Sequence, residues 1–142
     1  MYLKFNKKGD EMKKVPQISD TEWKVMKILW KESPVTANDV INRLDGVVDW
    51  SDRTIRTLLN RLIKKEVISF DRDGREYLYY PIVLEDECIR EENKSFLDRV
   101  YGGALNMMFA KFLEDEALSD DEIEELKQIL NDKKRNDEVK KR

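Results

Sequence analysis

A mostly α-helical chain with one small β-hairpin is the fold class predicted by this 142-residue sequence. More closely, it predicts an N-terminal winged helix-turn-helix followed by a C-terminal helical dimerisation domain. Three observations predict it. Three amphipathic helical stretches follow one another between residues 19 and 65, the last with an Arg-rich face. A short aromatic hairpin comes directly after them, and helix, helix, turn, helix, hairpin is the order of a winged helix. Beyond the hairpin the helical pattern resumes with its charge reversed. Residues 1–82 carry 16 Lys/Arg against 13 Asp/Glu, a net of +3, while 83–142 carry 11 against 17, a net of -6, and the two give the whole-chain -3. Such asymmetry divides a chain into a binding half and a partnering half.

The elements read off in order. Ser19-Asp-Thr-Glu22 is a capping box that opens a helix carrying Trp23, Val25, Met26, Leu29 and Trp30 to about Lys31, where Glu32-Ser-Pro34 ends it. Val35-Thr-Ala-Asn-Asp39 caps a shorter helix with Val40, Ile41 and Leu44 facing inward, closed by Asp45-Gly46. The third helix runs from about Asp52 to Lys65 behind Ser51 as N-cap. Two β-prone runs, 67–72 and 75–80, then flank Asp73-Gly74, a strong hairpin turn, and Pro81 ends the second. Residues 1–17 are Lys-rich without an apolar core, which reads as a flexible arm and not a secretory signal; Met12 is a candidate natural start.

The third helix carries the functional pattern. At about 3.6 residues per turn, Ile55, Leu58, Leu59 and Leu62 form one core-facing stripe. Ser51, Arg53, Thr54, Arg56, Thr57, Asn60 and Arg61 occupy much of the remainder, the side chains that grip phosphates and hydrogen-bond base edges. From Ser51 to Lys65 there are five basic residues (Arg53, Arg56, Arg61, Lys64, Lys65) against the single acid Asp52, although the protein as a whole is acidic. A solvated surface helix is the bland alternative, and the order of elements weighs against it. Arg72 and Arg75, at the hairpin tip, either reach flanking phosphate as a wing or serve as strand-edge charges that discourage pairing. Tyr77, Tyr79 and Tyr80 read as the hairpin face that packs on the helices, with base stacking as the weaker option.

In the second half, 84–101 interleaves Cys88, Ile89, Phe96, Leu97, Val100 and Tyr101 with charges, as in an amphipathic helix broken by Gly102-Gly103. Residues 104–113 form a short helix dense in Leu105, Met107, Met108, Phe109 and Phe112. Ser119-Asp-Asp-Glu122 is a second capping box, opening a helix with Ile123, Leu126, Ile129 and Leu130 on one stripe. The predicted domains are therefore 18–82 for the winged helix and 83–131 for the helical part, with 132–142 a polar flexible tail that frays. These helices are too few for an independent core, and Met and Phe at this density leave an apolar patch on a monomer. Either two copies interlock through Phe96, Leu97, Val100, Tyr101, Leu105, Met108, Phe109, Phe112, Ile123, Leu126, Ile129 and Leu130, or the helices fold back on their own winged helix. A two-fold dimer also delivers two third helices to a palindrome.

Composition excludes other classes. There is no His and one Cys, Cys88, so Ser-His and Cys-His nucleophile pairs and the usual zinc clusters are absent, and no catalytic residue, metal or cofactor is expected. Cys88 reads as a buried apolar thiol, and the lack of an intrachain disulfide fits a reducing cytoplasm. No apolar run is long enough to span a bilayer, so direct membrane insertion is not expected. A rival from another class is a winged-helix module whose Arg face meets an acidic protein. An enzyme is more distant, since no paired carboxylates fall in an identifiable pocket.

Ile18-Ser-Asp-Thr-Glu-Trp-Lys-Val-Met-Lys-Ile-Leu-Trp30, Trp50-Ser-Asp-Arg-Thr-Ile-Arg-Thr-Leu-Leu-Asn-Arg-Leu62 and Asp121-Glu-Ile-Glu-Glu-Leu126 together resemble the penicillinase-repressor family of the BlaI/MecI type. The resemblance runs from about Ile18 to Asn131 and is most specific in Trp-Ser-x-x-Thr-Ile-Arg-Thr-Leu. It implies a cytoplasmic homodimeric repressor on palindromic double-stranded operators upstream of genes for β-lactamase or a resistant transpeptidase. By position it implies Ser51, Arg53, Thr54, Arg56 and Thr57 at DNA, with Arg61 on phosphate. It further implies inactivation by proteolysis in the dimerisation domain, triggered through a membrane sensor-protease pathway. The counterpart of the family's cleaved bond is Lys111-Phe112, where Lys stands in place of the family's Asn. The related CopY-type repressors carry a Cys-rich C-terminal tail that this chain lacks, which disfavours metal sensing.

Overall fold

The computed structural model describes residues 15–141. In chain order the elements are α1 (Asp20–Lys31), α2 (Ala37–Leu44), α3 (Asp52–Lys64), β1 (Ile68–Asp73), β2 (Glu76–Pro81), α4 (Glu85–Tyr101), α5 (Leu105–Asp115) and α6 (Asp120–Lys140). They divide into two compact units, one ending at Phe96 and the other beginning at Leu97.

The first unit is built around α3. The starts of α1, α2 and α3 are locked by side-chain caps from Ser19, Thr36 and Ser51, and the first two are full capping boxes closed by Glu22 and Asp39. Ile55, Leu58, Leu59 and Leu62 of α3 bury against Val25, Met26 and Leu29 of α1 and Val40 and Leu44 of α2. Each such side chain removed from water contributes about 1.5–3 kcal/mol, so this stripe fixes which side of α3 faces outward. Val67, Ile68 and Tyr79 close the core on the hairpin side. Val35 forms an isolated antiparallel bridge with Tyr79, its N–H donating to the Tyr79 carbonyl at 3.0 Å and its carbonyl accepting from the Tyr79 N–H at 2.7 Å. The segment leading into α2 is thereby tied to the hairpin.

Three boundaries differ from the sequence expectation. The predicted arm, 1–17, ends earlier. Positions 1–14, with Met12 as candidate start, lie outside the described residues, but Val15 is buried in the core and the Gln17 carbonyl accepts from Lys65 Nζ at 2.9 Å. The predicted domain edge at 82/83 moves to 96/97. Val83 and Cys88 are buried in the first unit's core, the Trp30 indole N–H donates to the Val83 carbonyl at 2.9 Å, and Lys27 pairs with Glu85 at 2.5 Å. The opening of α4 thus belongs to the winged helix. Burial pushes the Cys88 thiol up to about 11, with Glu87 and Glu85 adding to the effect.

The hairpin turn also shifts by one residue. Strand pairing joins Asp73 to Glu76, Arg72 to Tyr77 and Phe70 to Tyr79, which leaves Gly74 and Arg75 as the two-residue loop instead of Asp73-Gly74. Gly74 adopts φ +65° while Arg75 does not enter the positive region, the pattern of a type II′ turn with glycine first. Arg72 and Tyr77, opposite each other, make a hydrogen bond of 2.9 Å and a cation–π contact of 5.2 Å.

In the second unit neither α5 nor α6 has a buried residue. The α6 helix starts on the Ser119/Glu122 capping box and continues to Lys140. The 132–142 segment is therefore helical to that point, not a structureless tail. Lys133–Asp137 at 2.9 Å, Gln128–Asp132 at 2.9 Å and Arg135–Asp132 supply the one-turn side-chain pairs that support a polar helix. No helix among the described residues is long and apolar enough to cross a membrane.

Candidate nucleic-acid interface

The outward side of α3 gathers the residues that periodicity separated from the core. Arg53, Thr54, Arg56, Thr57, Asn60 and Arg61 are all exposed, as is the cap Ser51. Ser51 Oγ accepts the Thr54 N–H at 3.1 Å and lies 3.0 Å from Thr54 Oγ1, so the helix start is rigid where its first side chains project. The Thr57 hydroxyl donates to the Arg53 carbonyl at 2.9 Å and keeps its acceptor capacity outward. Arg53, Thr54, Thr57 and Arg61 line one shallow recess with the edge of Leu58.

The arginines divide by partner. Arg43 clamps Glu32 with two hydrogen bonds, 2.7 and 2.8 Å, and Arg90 pairs with Asp86 at 3.0 Å. The Glu32 hydrogen bonds push the Arg43 guanidinium up, and its own carboxyl is held low by them. Among the described residues, Arg53 and Arg61 have no such ion pair, and Arg56 donates from Nη2 to the neutral Asn38 Oδ1 at 3.0 Å. The α3 face thus keeps its positive charge available to an external anion.

A second groove, about 340 Å³, lies beside α3. Thr36, Ala37 and Asn38 at the start of α2, Arg56 and Asn60 of α3, and Arg75, Glu76, Tyr77 and Tyr79 of the hairpin line it. The positive dipole end of α2 faces the same groove, although Asp39 already accepts the Thr36 N–H there at 3.0 Å. That hydrogen bond holds the Asp39 carboxyl low. Tyr79 is buried, and burial raises its phenol while the nearby Arg56 charge opposes the rise. Tyr77 is half-buried and stacks on Phe70 at 4.3 Å between ring centres. Tyr77 and Tyr79 are thus packing residues, whereas Tyr80, expected on the same face, falls on the opposite face of β2 and is not among the residues packed on the core. Arg72 rests on Tyr77, which raises the guanidinium further, whereas Arg75 projects at the loop.

Two site features escape sequence reasoning. Lys65, counted among the basic residues of this helix, turns inward. Its Nζ lies 2.5 Å from Glu22 Oε1, and Glu22 is only 2% exposed. Burial would raise the Glu22 carboxyl, but hydrogen bonds from Lys65 and from the Ser19 backbone and hydroxyl outweigh it and hold the group below its ordinary value. Asn38 is the second: within the α2 cap motif it reads as a polar surface residue, yet it holds Arg56. Neither pair has a sequence signal, because their partners are 43 and 18 positions apart.

The residues predicted for dimerisation sit on α4, α5 and α6. Val100, Leu105, Phe109, Phe112, Ile123, Leu126, Ile129 and Leu130 are exposed, while Phe96, Leu97, Tyr101 and Met108 are half-buried. The Phe112 ring meets Tyr101 edge-on at 6.5 Å, and Lys111 pairs with Glu114 at 3.3 Å. Among the described residues no group of His, Cys, Asp and Glu is arranged to hold a metal ion.

Comparison with known proteins places the chain in a family. Residues 18–132 match the family model described as Penicillinase repressor. The chain is 47% identical over 123 residues to a penicillinase repressor of Bacillus licheniformis, covering 87% of this chain and 96% of the relative. It is 42% identical over 120 residues to the methicillin resistance regulatory protein MecI of Staphylococcus aureus strain N315, covering 84% and 98%. Among solved structures, that of the Bacillus licheniformis BlaI monomeric form in complex with the blaP half-operator is 46% identical, covering 54% of this chain and 93% of that one, with a TM-score of 0.47. On the span of the family match and the identity to both relatives, the chain belongs to the penicillinase repressor family.

Proposed function

We propose that this chain is a sequence-specific transcriptional repressor that binds a palindromic DNA operator as a homodimer, in the cytoplasm, and controls genes of β-lactam resistance. The observation that carries the reading is the outward face of α3: arginines without acidic partners, interleaved with Thr and Asn, on a helix whose opposite stripe is buried. Phosphate contacts from Arg53, Arg61 and the loop Arg75 supply sequence-independent affinity, and Thr54, Arg56, Thr57 and Asn60 read base edges. The naming of the two relatives as repressor and resistance regulator supports the gene class.

The dimer rests on the second unit. Met107, Ile129 and Leu130 are 60%, 62% and 62% exposed on helices that bury nothing within one chain. A second copy is the partner that covers such a patch and also sets two α3 helices about 34 Å apart, one helical turn of DNA. Induction is assigned to proteolysis between Lys111 and Phe112, downstream of a membrane sensor. Both residues are exposed, and α5 has no side-chain N-cap, so its local opening is cheap.

Fluorescence anisotropy on operator and random duplexes tests the reading. Thr54→Ala and Arg56→Ala should each cost roughly 1–3 kcal/mol on operator and little on random DNA. Unchanged operator affinity in both would remove α3 from base readout. A face meant for an acidic protein instead would not give a log-linear salt slope with DNA.

A further inference from the structure

We propose that Asn38 is a positioning residue for base readout: its side-chain carbonyl holds the Arg56 guanidinium in the orientation that meets the DNA. The inference rests on the reading of α3 as the base-reading helix and adds a residue from outside that helix.

The geometry is specific. Asn38 occupies the second helical position of α2, directly after Ala37, whose side chain is buried. The Thr36/Asp39 capping box fixes the turn from within, and the Val35–Tyr79 bridge fixes the chain just before it. Asn38 is thus an exposed side chain on a backbone tied by hydrogen bonds on both sides. Arg56 Nη2 donates to its Oδ1 at 3.0 Å, across the groove that Asn60 and Arg75 also line.

An arginine reading guanine must offer two parallel N–H groups in one plane, and a free side chain loses substantial rotamer entropy in doing so. One hydrogen bond to a fixed neutral acceptor removes much of that cost beforehand and leaves four of the five guanidinium N–H donors for DNA. Neutrality matters too. A carboxylate at position 38 would hold Arg56 more tightly and cancel the charge that phosphate attracts. The bond therefore orients Arg56 without competing for it.

The test is a double-mutant cycle on the full-length protein, using an operator duplex obtained by selection from random sequence and a scrambled duplex of equal length. Thermal melts confirm that Asn38→Ala, Arg56→Ala and the double variant fold alike. Asn38→Ala should weaken operator binding about fivefold, the net worth of one ordinary solvent-exposed hydrogen bond, with scrambled-DNA affinity and salt slope unchanged. In the Arg56→Ala background the same change should have no further effect. Full additivity would show that Asn38 contacts DNA by itself, and an unaffected Asn38→Ala beside a weakened Arg56→Ala would show that Arg56 needs no positioning. Either result overturns this inference and leaves the α3 reading standing. Operator affinity unchanged by Arg56→Ala would overturn this inference, and affinity unchanged by Thr54→Ala as well would overturn the α3 reading too.

Discussion

Replacing Lys65 and Arg61 by Met, one at a time, separates the charge that holds the fold from the charge proposed to meet DNA. Both residues lie in the basic C-terminal turn of α3 or at its cap. Lys65 Nζ is 2.5 Å from Glu22 Oε1 and also donates to the Gln17 carbonyl, and Glu22 is 2% exposed. Lys65→Met leaves that carboxylate buried with Ser19, whose backbone N–H donates to Oε1 at 2.8 Å, as its remaining partner. Breaking a fully buried pair costs about 3–5 kcal/mol, and because a third of the Lys65 side chain meets water, about 2 kcal/mol is expected here. The pH dependence carries a sign. In the wild type Glu22 is held below its ordinary value, so its stabilisation is complete above the unfolded value and is lost as pH falls through the lower native one. Without Lys65 the burial that raises the carboxyl is opposed by Ser19 alone, so the native value rises and acidification costs the variant less than the wild type. Urea melts at fixed protomer concentration should therefore show a gap that narrows from about pH 7 toward about pH 4. Arg61→Met should leave those melts unchanged but reduce the magnitude of the salt slope by about 0.9 per protomer, which Lys65→Met should not. A stable Lys65→Met protein with a reduced salt slope would refute the assignment.

Other outcomes follow from the same geometry. Leu59→Ala, at the centre of the buried α3 stripe, should cost about 2–5 kcal/mol in a denaturant melt, more than any exposed α3 substitution. Ile129→Glu with Leu130→Glu should convert the proposed dimer to monomer in sedimentation equilibrium without loss of helical circular dichroism, since neither side chain is buried within one chain. Arg75→Ala, at the hairpin loop, should reduce operator and random-DNA affinity by the same factor, whereas Arg72→Ala should lower the melting temperature by exposing Tyr77 and change binding less.

What the chain reveals before folding is unequal across its length. The α3 stripe and the caps at Ser19, Thr36 and Ser51 are legible because they are local: periodicity and capping act over one or two turns. The hairpin is legible, but its turn is not. Moving the loop from Asp73-Gly74 to Gly74-Arg75 slides the pairing by two positions, which keeps every side chain on its own face, so alternation cannot separate the two registers. The cross-strand Arg72–Tyr77 and Phe70–Tyr79 pairs, visible only in three dimensions, accompany the observed one. Glu22 illustrates the opposite error, a residue with a sufficient local explanation as a capping acid that also serves a long-range ion pair. The domain edge was misplaced because Pro81 ends the strand convincingly, while Val83 and Cys88 carry no signal that they return to the preceding core.

The proposed placement of α3 in the major groove is tested most directly by a DNA-cleaving iron chelate tethered to Asp52→Cys, beside the side chains assigned to base readout. The native thiol of Cys88 is buried, and burial pushes it up to about 11, so the label goes to the new cysteine. Cuts are expected within the operator at two symmetric positions about one helical turn apart, and none from the same chelate on Lys24→Cys of α1. Uniform cleavage from Asp52→Cys, or operator-specific cleavage from Lys24→Cys in its place, would contradict the assignment.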